Sequence, residues 1–140
     1  MTTETGDEFK DLQVLDPISD DTLELAQHPD TVYTAEMRGE GAGAWHRIVV
    51  SPPDERDYLL PPRTDVEKIS EFHDYNAFDW GYKGSGACLT AGSLVADAYQ
   101  DREAARQNMG RLVDRYVSRV ESGEGWTVTA GEIHELLTGE

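Results

Sequence analysis

From Thr31 the chain alternates. Tyr33, Ala35 and Met37 fall on one face and Thr34, Glu36 and Arg38 on the other, the period-two pattern of a half-buried strand. The glycine-rich residues 39–44 turn the chain, and residues 45–50, rich in aromatic and β-branched side chains, read as an antiparallel partner. Gly39, Gly41 and Gly43 do not have the spacing of a dinucleotide fingerprint and no crossover helix follows, so they read as a plain turn. Ser51, Pro52 and Pro53 break the sheet. Tyr58, Leu59 and Leu60 predict a brief edge strand, ended by Pro61 and Pro62, which cannot donate to a ladder.

Helical spacing then takes over. Thr64 and Glu67 form a capping box for a small helix with Val66, Ile69 and Phe72 as its apolar stripe. A longer helix is predicted over residues 86–100, with Ala87, Ala91, Leu94, Val95 and Ala98 buried and Ser85 placed to cap it. Its Gly92, Ser93 and Ala96 lower intrinsic helix stability, which suits close approach by a neighbouring backbone. The strongest helix runs over residues 101–120, carrying Ala105, Met109, Leu112, Val113, Tyr116 and Val120. Residues 126–129 predict a last strand. Thr129 and Glu132 make a second capping box, for a helix presenting Ile133, Leu136 and Leu137 and closed by Gly139. This order predicts an α+β fold: a small antiparallel sheet with three to four helices on one face, forming a single domain over residues 31–140.

Charge changes the picture. The 140 residues hold 28 acidic against 12 basic side chains, a net charge of −16, and only three of the basic residues are lysines. The acids are spread along the whole chain, a pattern that suits a salt-loaded cytoplasm and predicts a halophilic source. At about 1 M salt the screening length is only about 3 Å, which removes long-range attraction for a basic partner and weakens the reading of the chain as an acidic decoy. Residues 1–30 carry nine acids against Lys10, predicting an acidic, largely flexible arm, with a short helix over residues 20–27 stopped by His28 and Pro29. The lone Cys88 excludes an intrachain disulfide. The N-terminus lacks a signal-peptide pattern and no apolar run reaches membrane-spanning length, so the expectation is cytoplasmic, with no membrane partner.

One segment stands apart. Residues 76–86 place Phe78, Trp80 and Tyr82 at alternating positions, with Gly81, Gly84 and Gly86 among them, just before a helix. Positive φ at Gly84 and Gly86 would turn backbone N–H groups outward, and the helix start adds unpaired donors, so Trp80, Tyr82, Lys83, Gly84, Ser85 and Gly86 form a candidate anion or ligand loop. The bland alternative is a glycine-rich connection that packs its aromatics under the helix. Lys83 precedes the last glycines, unlike a Walker A lysine, and Ser85 lacks the flanking glycines of a nucleophile elbow.

The run Phe78-Asp79-Trp80-Gly81-Tyr82-Lys83-Gly84-Ser85-Gly86, with the later Trp126 to Thr129 and Glu132-Ile133, resembles an uncharacterised family of small prokaryotic and phage proteins, a domain of unknown function. The similarity spans residues 31–137, and Ala87 and Cys88 stand where that family usually has proline and glutamine. The resemblance implies a shared fold and association with mobile elements, and it brings no activity.

Arg111, Arg115 and Arg119 recur every four residues opposite the apolar stripe, a basic ridge and candidate partner face, with Asp114 and Glu121 as local partners in the bland reading. His73, Asp74 and Asp79 match no metal-ligand spacing, and His28, His46 and His134 are isolated in sequence. The residues therefore name no catalytic group, no metal and no cofactor. The expectation is a non-enzymatic binding module with a protein partner, nucleic acid being less favoured. The alternatives are a phosphate- or nucleotide-binding enzyme or sensor using the start of the helix at Gly84, Ser85 and Gly86, and an acidic decoy of a nucleic-acid-binding protein.

Overall fold

The computed structural model describes residues 23–38, 45–63 and 78–139. Four antiparallel strands, β1 (Val32–Arg38), β2 (Trp45–Ser51), β3 (Tyr58–Leu59) and β4 (Trp126–Thr129), lie in the order β3-β2-β1-β4. Among the described residues three helices, α1 (Ser85–Tyr99), α2 (Arg102–Leu112) and α3 (Ala130–Thr138), complete an α+β fold. No helix among the described residues is long and apolar enough to cross a membrane.

The alternation of β1 dictates the core. Tyr33 pairs with Val50 on one side and Val128 on the other, and Ala35 lies opposite Ile48 and Trp126. Since successive residues point to opposite faces, this register puts Tyr33, Ala35, Ile48, Val50 and Val128 on one face, and all five are buried. α1 is more enclosed than its narrow stripe suggested. Twelve of its fifteen residues are buried, and small side chains such as Ala91, Ser93 and Ala96 allow neighbours to approach closely.

The N-terminal segment differs from expectation. Residues 23–27 are not helical: Leu23 is buried, and the N–H groups of Ala26 and Gln27 both donate to the Ala98 carbonyl, at 2.9 and 3.0 Å. That carbonyl lies in the last turn of α1, where acceptors lack intrahelical donors, so the segment completes the helix end. One residue back, Asp97 accepts from Tyr33 Oη at 2.7 Å, Tyr58 Oη at 2.8 Å and Gln27 Nε2 at 3.0 Å, tying β1, β3 and this segment to α1. Residues 1–22 of the expected arm, the 39–44 turn and the helix expected from Thr64 lie outside the described residues.

The single helix predicted over residues 101–120 is also corrected. α2 starts as expected, with the Asp101 carboxylate accepting from the N–H groups of Glu103 and Ala104, but it ends at Leu112 and passes into a π-helical turn, Val113–Val117. There Ser118 N–H reaches back five residues to the Val113 carbonyl at 2.9 Å. α3 has the predicted capping box, Thr129 Oγ1 accepting from Glu132 N–H at 3.0 Å and Glu132 Oε1 from Thr129 N–H at 2.9 Å. Gly139 closes it in an extended conformation rather than a left-handed one.

Candidate functional site

The aromatic and glycine run folds as a clasp. Phe78 and Trp80 are fully buried while Tyr82 is 45% exposed, so the expected continuous aromatic face is split. The split comes from Gly81, whose φ of +91° turns the chain. Its N–H donates to the Val117 carbonyl at 2.9 Å, and a Cβ on Gly81 would lie 2.6 Å from the Ser122 Cα. Positive φ thus belongs to Gly81; Gly84 is extended and Gly86 lies inside α1. Ser85 is the first helical residue, and Gly84 occupies the cap position without a side-chain cap.

Hydrogen bonds fasten this clasp on three sides. Trp80 Nε1 donates to the Glu124 carbonyl at 2.7 Å, and the Thr90 hydroxyl accepts from Asp79 N–H at 3.0 Å. The Asp79 carboxylate accepts from Trp80 N–H at 2.9 Å and from Tyr82 Oη at 2.8 Å, which lays the Tyr82 ring against Gly84. Burial and this carboxylate push the Tyr82 hydroxyl up to about 12. His46, isolated in sequence, comes to 3.9 Å from Asp79 and meets Trp80 edge-on at 4.7 Å. The other two members of the His73, Asp74 and Asp79 set lie outside the described residues. Among the described residues no three His, Cys, Asp or Glu side chains are grouped to hold a metal ion.

The charged candidates have structural partners. Lys83 Nζ lies 2.8 Å from Asp114 Oδ1 in a solvent-exposed pair, which lowers the Asp114 carboxyl below its ordinary range. Arg111 donates to the Leu137 carbonyl at 3.0 Å, and Arg115 to those of Leu136 and Gly139, both at 2.7 Å. These acceptors belong to the end of α3 and the residue that closes it, where unpaired carbonyls and partial negative charge favour a cation. Arg119 Nε donates to the Asp114 carbonyl at 2.7 Å. The expected Asp114 partnership is therefore through its main chain for Arg119 and its side chain for Lys83.

A groove that the sequence did not reveal opens between the π-helical turn, β4 and α3. It has a volume of about 360 Å³ and is lined by Tyr116, Thr127, Val128, Glu132, Glu135 and Leu136. Tyr116 leans edge-on against Trp126 at 5.5 Å, and Trp126 against Trp80 at 5.3 Å, so a row of rings connects the clasp to the groove. Burial, with Glu132 nearby, pushes the Tyr116 hydroxyl up to about 12. Trp126 Nε1 is buried without an acceptor among the described residues. Tyr116 and Leu136 were legible as members of two separate apolar stripes, but nothing in their spacing shows that one turn of each meets across β4.

Searches of curated proteins and of solved structures find no match to this chain. Residues 39–139 match a family of unknown function, DUF6166, so the matched part takes in the clasp, the arginines and the groove, while β1, one of the two central strands, precedes it. With 101 of its 140 residues matched, this chain belongs to that family.

Proposed function

We propose that this domain is a binding module that docks a partner protein in the groove beside the π-helical turn. The groove itself carries the reading: apolar Leu136 and the Tyr116 ring are left partly exposed beside the π-helical turn, β4 and α3, within a volume typical of ligand sites, about 300–1,000 Å³. A π-helical turn placed at such a surface is in keeping, since these turns recur at functional sites. The anion-loop reading is less well supported because Lys83 is paired with Asp114, and the arginine-ridge reading because Arg111 and Arg115 hold the end of α3. We also propose a halophilic source, on the net charge of −16 and its spread along the chain, and an association with mobile elements, as the family resemblance implies. In such a cytoplasm an acidic decoy loses its reach, whereas contact-range recognition in a groove survives.

The test is crosslinking and affinity capture in cells at native salt, comparing wild type with Thr127→Arg, which fills the groove from an exposed position, and Lys83→Ala, which leaves it untouched. One dominant partner should be lost with Thr127→Arg and kept with Lys83→Ala. Retention by Thr127→Arg would overturn the reading.

A further inference from the structure

The chemistry of the groove wall narrows what it takes. Glu132 and Glu135 stand three residues apart on α3 and line the same groove, both exposed. None of the six lining residues is basic. The nearest arginine in sequence to Tyr116, Arg115, donates instead to the Leu136 and Gly139 carbonyls. One oxygen of Glu132 is committed to Thr129 N–H, and Glu132 sits in the first turn of α3, where the helix end offsets part of its charge. Glu135 is a full turn further on, and its carboxylate has no hydrogen-bond or ion-pair partner among the described residues. It repels Glu132 along one helix face, a cost that a bound cation removes.

Resting on the groove reading, we infer that the group recognised is a guanidinium or ammonium side chain on a peptide segment. Its charge meets Glu135, and its apolar stem lies along Tyr116 and Leu136. Leu136 beside the Tyr116 ring suits the methylene stem of Arg or Lys, and an aromatic ring attracts the cation itself. A peptide rather than a bare cation is favoured by Leu136 and the Tyr116 ring, apolar surface that a bare ion would leave uncovered.

The probe is acetyl-Leu-Arg-amide, compared with acetyl-Leu-citrulline-amide, its neutral isostere, both titrated against the ¹⁵N-labelled full chain. The arginine probe should move the Thr127, Val128 and Glu135 amide signals saturably. Citrulline should bind about tenfold more weakly, as should the arginine probe with Glu135→Gln, each corresponding to the loss of about 1.4 kcal/mol. Glu121→Gln removes the same charge outside the groove and should change nothing. Equal binding of the two probes at the groove signals would overturn the cation inference and leave the docking site standing. Groove signals that move with neither probe would overturn both.

Discussion

At the scale of single residues, the clasp accounts for the pattern that stood out in the sequence. Gly81 combines positive φ with a backbone approach that no side chain tolerates, so Gly81→Ala is expected to destabilise the fold by roughly 2–4 kcal/mol, measurable by urea denaturation. An unchanged midpoint would contradict the close approach. Tyr33 is buried with its hydroxyl on Asp97, which keeps two other donors, so Tyr33→Phe should cost about 1.5 kcal/mol. The tyrosines also set an alkaline limit. Tyr82 and Tyr116 titrate near 12 in the folded protein, raised chiefly by burial, against about 10 when unfolded. The unfolded chain therefore releases these protons first, and stability is complete below pH 10 and declines from there towards 12. Urea midpoints measured from pH 8 to 11.5 should fall only above pH 10, and a flat profile would count against it. That the run held glycine and aromatics for a reason was legible; which glycine turns the chain was not, because that depends on Ser122, forty-one residues away.

Among the elements, strands and helix starts were the most legible, because their signals are local. The alternation of β1 and the capping box of α3 need no distant residue to be recognised. The π-helical turn was hidden: the apolar spacing around Val113 and Tyr116 suits a regular helix, and the added residue only makes sense beside Gly81 and Trp126. The arginines show the same limit. Their four-residue spacing marks a ridge, yet the carbonyls that Arg111 and Arg115 serve lie on α3, more than twenty residues on. Arg115→Met keeps the apolar stem and removes both bonds, so it should cost about 1.5 kcal/mol for this partly exposed side chain and speed amide exchange chiefly in the last turn of α3. Faster exchange spread evenly over the molecule would point to another role.

For the whole molecule, the charge of −16 makes stability a function of salt. Between 0.1 and 1 M KCl the screening length falls from about 10 to about 3 Å, which relieves repulsion among the carboxylates. The thermal midpoint should rise steadily over that range by circular dichroism, and a constant midpoint would remove the main ground for a salt-adapted setting. Strand order has a kinetic consequence. β1 pairs with β2 through a short connection, but its other edge waits for β4, with Val32 opposite Thr129, ninety-seven positions later. A hairpin closes in about 1–10 μs, whereas so distant a pairing slows folding and leaves the other edge of β1 unfilled meanwhile. During synthesis that edge stays open until residues 126–129 have left the ribosome, and an open strand edge is where a second chain can add itself. The scattered carboxylates would then act as its guard against self-association before the last strand arrives.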